Sequence, residues 1–243
     1  MNPQKSHHEL LAYIDQLDPV TYAKTRNHLS GAVTKLSPYI TRGVLTLPEI
    51  RDRLLKKYSY DDCEKLIQEL AWREYFQKVF TAKGDAIFSD LRFARDDWRH
   101  ADLVTGVVNA STGIETIDTA IAELYKTGYM HNHARMWTAM LTCNVAKANW
   151  TTMSRWLYFH LIDGDLASNT LSWQWVAGTS INKQYVANQE LINACSQSSQ
   201  TGTYIDIDCD QVASIPVPAA LLETQPHNLQ MNYPASDEMV DLA

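Results

Sequence analysis

The sequence predicts an all-α fold: a helical bundle followed by an irregular C-terminal tail. Three observations carry this expectation. Helix-start signals precede apolar runs of period 3.6 at several places, Gly128 stands where a helix would stop, and alternating strand patterns are nearly absent before residue 200.

Ser6, with Glu9 three positions on, reads as a capping box for a helix carrying Leu10, Leu11, Ile14 and Leu17. Asp18-Pro19 supplies an N-cap and a proline at the first helical position. Leu47-Pro48-Glu49 leads into Ile50, Leu54 and Leu55, a short amphipathic helix. Residues 62–80 hold Leu66, Ile67, Leu70, Ala71, Tyr75, Val79 and Phe80 at strong helical spacing. Thr112 and Glu115 read as a second capping box, and Ile114, Ile117, Ile121 and Leu124 continue that helix to Gly128. Residues 130–148 read as one long apolar helix and 152–162 as another. A helical domain over 1–195 and an irregular extension over 196–243 follow from this. The extension contains Pro216, Pro218, Pro226 and Pro234 and one alternating run, Tyr204 to Asp208, and is expected to wrap the domain or to be mobile.

Composition narrows the function classes. With 45% hydrophobic and 20% charged residues, the 243-residue chain is not disordered throughout. Lys and Arg total 21 against 28 Asp and Glu, a net charge of −7, which argues against a surface coated for nucleic acid but permits a local basic patch. No stretch approaches the roughly 18–20 apolar residues of a membrane span. The polar start, Met1 to Glu9, lacks a signal core, so no membrane association and a cytoplasmic location are expected. Cys63, Cys143, Cys195 and Cys209 show no C-x-x-C spacing and read as reduced thiols, with no metal site. Seven Trp against five Phe is the anomaly.

Some polar residues sit where a plain amphipathic helix has no use for them. Glu69, Trp72, Arg73 and Phe76 fall on one helical face. That pattern reads either as a surface Glu69–Arg73 pair or as a ligand wall of acid, aromatic plate and guanidinium. Asn132, Arg135 and Met136 share a face inside an otherwise apolar helix, and a buried Arg needs a partner. Asp163-Gly164-Asp165 is the obvious supply of carboxylates. Beyond it Asp165, Asn169 and Trp173 recur every four residues, followed by Gln174-Trp175. His131 and His133, two apart, cannot face one metal together. The run Val33 to Tyr39, after the small residues Ser30-Gly31-Ala32, offers hydroxyls, a cation and backbone N–H groups ahead of a helix. It suits a phosphate or an N-cap cluster.

Taken in order, these segments resemble the flavin-binding helical domain of the photolyase/cryptochrome family. The resemblance rests on Thr34-Lys35-Leu36-Ser37-Pro38-Tyr39, Glu69-Leu70-Ala71-Trp72-Arg73-Glu74, and Thr112-Gly113-Ile114 with Asp118. It continues through Thr127 to Met136 and Asp163 to Asn169, ending in Trp173-Gln174-Trp175, and so covers roughly residues 20–180. It implies FAD within an all-helical bundle. Tyr22, Thr34, Lys35, Leu36 and Ser37 would hold its phosphates and ribityl chain, and Arg73 belongs to the same cofactor set. Asn132, Arg135, Asp163, Asp165 and Asn169 would surround the ring, with Arg135 paired to Asp163. Trp173, Trp150 and Trp98 match the family's electron-carrying tryptophan chain. Glu69, Trp72, Met136, Trp175 and Asn132 would line a pocket for a cyclobutane pyrimidine dimer in UV-damaged DNA, Asn132 and Met136 standing where enzymes for the 6-4 photoproduct use histidines.

The expected function is therefore light-dependent, FAD-mediated dimer repair by a lyase, with a cryptochrome-like photoreceptor signalling through a protein partner as the alternative. The N-terminal antenna domain of full-length members has no counterpart here, so no antenna chromophore is expected, nor an iron–sulfur cluster. A monomer with a preference for single-stranded DNA is expected. Departures from the family pattern are Val33 for a hydroxyl residue, His133 for an Arg, and Thr170-Leu171-Ser172 where Asn-Gly-Gly is common.

Overall fold

The computed structural model describes residues 5–227. Pro234 and the rest of the extension beyond 227 lie outside the described residues. Five helices come first: α1 (His7–Ile14), α2 (Pro19–Thr25), α3 (Ser37–Thr41), α4 (Leu47–Leu55) and the 24-residue α5 (Tyr60–Lys83). After a 3-10 turn and an irregular passage come β1 (Leu103–Val104), α6 (Thr105–Val108), α7 (Glu115–Thr127) and α8 (Asn132–Met140). Then follow α9 (Trp150–His160), α10 (Leu166–Ala177), α11 (Gln189–Ser196) and β2 (Thr224–Gln225).

Local chemistry explains most boundaries. The Ser6–Glu9 capping box forms, and a second one, Thr46–Glu49, opens α4. Asp18 caps α2 by accepting from the N–H groups of Val20 and Thr21, with Pro19 behind it. Gly128 ends α7 in the left-handed conformation at φ 72°, as its position suggested.

Two expectations need correction. Thr112 and Glu115 do not form a capping box. The Asp118 carboxylate takes the Thr112 N–H and hydroxyl, both at 2.8 Å, and the Gly113 N–H at 3.1 Å, while the Glu115 N–H donates to Gln200. Nor do residues 130–148 form one helix. α8 ends at Met140, Leu141–Val145 widens into a π turn, and Lys147 adopts a φ of 57° before Asn149 caps α9 through the Thr151 N–H. The buried Asn144 anchors the break by donating to the carbonyls of Val176 and Tyr185.

Two apolar clusters result. One gathers Leu10, Ile14, Leu36, Leu45, Ile50, Leu54, Cys63 and Leu66 from α1, α4, α5 and the linkers around α3. The larger centres on Ile117, Ile121, Trp137, Met140, Trp150, Trp156 and Trp173. Ile205, Val212 and Leu221 are fully buried in that same larger cluster, so the described part of the extension packs on the helical body in irregular form. β2 pairs antiparallel with β1, and Gly106 lies so close beneath that a Cβ there would meet the Ala220 carbonyl oxygen at 2.0 Å. Among the described residues, no helix is long and apolar enough to cross a membrane.

Candidate functional site

Of the polar residues singled out in the sequence, Ser37, Arg73, Arg135, Asp163 and Asp165 are drawn together by hydrogen bonds where the two clusters meet. The 30–42 segment and α5 belong to one side, α8 and the 162–165 turn to the other. The bonds across this seam are side-chain bonds to the Asp163 and Asp165 turn. Asp163, 4% exposed, accepts from Arg135 Nη2 at 2.9 Å on each carboxylate oxygen, and its Oδ2 also accepts from the Ser37 hydroxyl at 2.6 Å. Its backbone carbonyl accepts from Thr41, and Arg42 donates to the Ile162 carbonyl at 2.8 Å. Arg135 is further fixed by donating Nε to the Met130 carbonyl.

A second tier repeats the pattern. Arg73 Nη2 donates to Asp165 Oδ2 at 3.1 Å and to the Thr41 hydroxyl, and Gln77 donates to the same carboxylate oxygen at 2.6 Å. The other Asp165 oxygen caps α10 by accepting the Ser168 N–H at 2.7 Å. Arg73 therefore does not join Glu69 in a surface pair. Glu69 lies 3.3 Å from Arg26 and 3.7 Å from Lys65. Each of these half-buried Arg side chains has its carboxylate, the condition under which such charges are tolerated.

The remaining residues fall into distinct settings. Tyr22 is half-buried, and burial with the nearby Glu69 charge pushes its hydroxyl up to about 12. Leu36 is 1% exposed and packs in the smaller cluster, so only its backbone can face a ligand. Lys35 is exposed with a φ of 52°, an unusual backbone for a residue with a Cβ. Asn169 donates Nδ2 to the Ser154 carbonyl at 2.9 Å, which leaves Oδ1 as its free end. Asn132 is exposed, with its amide nitrogen 3.6 Å from the Met136 sulfur. Of the seven Trp, only Trp72 and Trp175 are exposed, at 54% and 38%. Trp72 stacks near Tyr75 and Phe76, with centroids 5.7 and 5.9 Å away, and Trp175 lies 5.6 Å from Tyr185. Trp173 and Trp150 are buried in the large cluster, and Trp98 packs half-buried at its edge.

Sequence reasoning missed Thr41, Gln77 and Arg42. The first two carried a usable signal, since Thr41 follows Ser37 by four residues and Gln77 follows Arg73 by four. Nearby His131 and His133 have ring centroids 6.2 Å apart, and burial pushes His131 down to about 4, keeping it neutral at ordinary pH.

An all-helical domain with two arginine–carboxylate tiers at its central seam is thus the class that fold and geometry define. The family model for the FAD binding domain of DNA photolyase matches residues 66–243, and the chain belongs to that family. It is 35% identical over 160 residues to the deoxyribodipyrimidine photo-lyase of Streptomyces griseus, covering 65% of this chain and 35% of that protein. It is 32% identical over 217 residues to the cryptochrome DASH of Natronomonas pharaonis, covering 85% of this chain and 44% of that one. The solved cryptochrome of Synechocystis sp. PCC6803 superposes with a TM-score of 0.68 at 26% identity, over 79% of this chain and 42% of its own. The chain thus spans less than half the length of these relatives.

The residues present fit FAD. A flavin dinucleotide needs donors for its pyrophosphate and polar groups around its ring. Among the described residues no acceptor faces the N–H groups of Thr34, Lys35 or Ser37. Among the described residues the buried Ser168 hydroxyl, between Asp165 and Asn169 in sequence, has no partner. A separate open basin of about 470 Å³, lined by Thr21, Thr25, His28 and the 30–32 turn among others, includes none of the residues assigned to FAD.

Proposed function

We propose that the chain is a light-driven, FAD-dependent photolyase-like lyase that splits cyclobutane pyrimidine dimers in DNA. The exposure of Trp72 and Trp175 carries this reading. Five other Trp are wholly or partly buried, and two large indoles left in water on the packed helices α5 and α10 offer faces for flipped bases to stack on. Glu69 supplies a carboxylate acceptor one turn from Trp72, and Met136 and Asn132 supply soft and amide contacts from α8. The similarity to the Streptomyces griseus deoxyribodipyrimidine photo-lyase supports the same reading.

When bound, the flavin supplies light-driven one-electron chemistry. In this reading Thr34, Lys35 and Ser37 hold its phosphates, with Tyr22 and the Leu36 backbone alongside. Arg73–Asp165 and Arg135–Asp163 set a neutral, rigid floor whose charges cancel in pairs. Asn169, clamped to Ser154 through Nδ2, would offer its side-chain oxygen to the ring as an acceptor. Trp173, Trp150 and Trp98 form the path by which the flavin is re-reduced. With a net charge of −7, phosphate attraction is weak, so single-stranded DNA, in which flipping costs less, is the proposed preferred substrate.

The match to cryptochrome DASH over 85% of the chain favours a second reading, a blue-light receptor that uses the same flavin and acts through a partner. Illumination of the reduced, FAD-loaded protein with dimer-containing oligonucleotides, single- and double-stranded, separates the two. Restored pyrimidines, faster in single strands, are expected. No product from either strand, with the flavin demonstrably reduced, would leave the receptor.

A further inference from the structure

Trp150 and Trp98 sit in opposite electrostatic settings. The Trp150 ring is 1% exposed, and its Nε1–H donates to Asp90 Oδ1 at 2.8 Å. Asp90 is half-buried, and its second oxygen accepts from the Arg95 backbone N–H at 3.3 Å. A carboxylate on the indole N–H stabilises a positive ring and is placed to take its proton.

Trp98 has the reverse. The Arg95 guanidinium lies over its ring, 4.0 Å from the centroid. That cation is immovable: Nε and Nη2 are bonded to Asp97, Nη1 to the Asn144 amide and the Ala177 carbonyl, and Nη2 also to the Cys143 carbonyl. Lys147 approaches Asp97 at 3.2 Å, so two cations share one carboxylate beside this ring. A cation on the face attracts the neutral indole and repels an oxidised one. Among the described residues no acceptor reaches the buried Trp98 Nε1–H, so an oxidised Trp98 lacks the proton acceptor that Trp150 has.

We propose that Asp90 is the proton acceptor that brings the oxidised site to rest at Trp150 and keeps it from moving on to Trp98. This rests on the tryptophan-chain reading above and shortens its path to Trp173 and Trp150, leaving Trp98 outside the working relay. One electron leaves Trp150, by way of Trp173, for the light-excited oxidised flavin acting as oxidant. The Nε1–H bond of Trp150 then breaks, its electron pair stays on nitrogen, and the proton forms an O–H bond on Asp90 Oδ1. The result is a neutral Trp150 radical and a neutral Asp90. A one-electron donor from solution, such as a thiolate, restores Trp150, with the proton returned from Asp90.

Flash photolysis of the FAD-loaded, oxidised protein in H2O and D2O tests this, reading the tryptophan radical by transient absorption and electron paramagnetic resonance. The wild type should give a neutral tryptophan radical that forms severalfold more slowly in D2O. Asp90→Asn, which keeps the shape but cannot take the proton, should give a radical cation with no such isotope effect. The neutral radical should still form in Trp98→Phe. A neutral radical that survives in Asp90→Asn but is lost in Trp98→Phe would overturn the proposal while leaving the tryptophan chain intact. Flavin reduction in the wild type with no tryptophan radical at all would instead remove the chain itself, and the proposal with it. The wild-type isotope effect needs no variant and stands even if a substituted protein fails to fold.

Discussion

A single guanidinium nitrogen of Arg135 lies 2.9 Å from both carboxylate oxygens of Asp163, tying α8 to the turn that starts α10. The side chains are 23% and 3% exposed, so this is an interior pair. Removing one partner strands the other. Arg135→Ala leaves Asp163 with only the Ser37 hydroxyl on its side chain and should cost about 3 kcal/mol of folding stability, the low end for a broken buried pair. Denaturant unfolding measures it, and a loss under about 1 kcal/mol would show that the carboxylate is better solvated than its burial indicates.

Lys35 holds a left-handed backbone that glycine adopts without strain. Lys35→Gly should therefore leave the apo-protein equally stable or raise it by about 0.5–1 kcal/mol, relief of strain partly offset by unfolded-chain entropy. The same change removes a cation and should lower FAD retention on gel filtration. Loss of apo stability together with full flavin retention would contradict both halves.

His131 is pushed down to about 4 in the folded chain by burial, against an ordinary value near 6.5. Its folded form thus stays neutral while the unfolded form takes up a proton as pH falls. Stability from this group is complete above about pH 6.5, declines from there to about pH 4, and levels off below, a total on the order of 3 kcal/mol. His131→Gln should flatten that part of the stability–pH curve relative to wild type. An unchanged slope between pH 6.5 and 4 would assign the effect to other groups, such as the similarly depressed His133.

Trp173→Phe should abolish or greatly slow blue-light reduction of bound FAD in the presence of a thiol donor. Phenylalanine fills much of the 2%-exposed site but is far harder to oxidise than indole. Reduction at the wild-type rate would remove Trp173 from the electron path.

Trp72→Ala should weaken binding of dimer-containing single strands by about 1–3 kcal/mol, the usual worth of one base–aromatic stack. Because the ring is 54% exposed, folding stability should barely change and FAD photoreduction should persist. Equal affinity of variant and wild type for the dimer strand would place the lesion elsewhere.

What the sequence revealed was mostly local. Ser6 and Glu9 can cap only the helix beside them, and Gly128 is the residue that a left-handed C-terminus favours, so both were readable. The two arginine–carboxylate tiers were half legible. A buried Arg demanded a carboxylate, and Asp163 and Asp165 were the available ones, but the hydroxyls of Ser37 and Thr41 reaching them cross more than a hundred residues. At Thr112 the sequence offered two acids, Glu115 and Asp118, and the winner was the one able to take three donors at once. The break after Met140 was hidden because an apolar stretch continues through it. Its one sign was Asn149 ahead of Trp150-Thr151, an N-cap inside what looked like helix. The Asp90–Trp150 bond had no sequence signal, since nothing in the Asp90 neighbourhood marks it as facing an indole.

The ribbon of β1 and β2 joins residues 103–104 to 224–225, and the core that Leu221 completes stays open until that ribbon closes. On the ribosome, the segment carrying Val107, Ile117 and Trp137 emerges well before its covering strand is made. The nascent chain must therefore hold an uncovered apolar face while the intervening residues are translated. Folding of the large cluster is set to finish only once residue 225 has left the ribosome, and the demand for a holding chaperone should fall at that point.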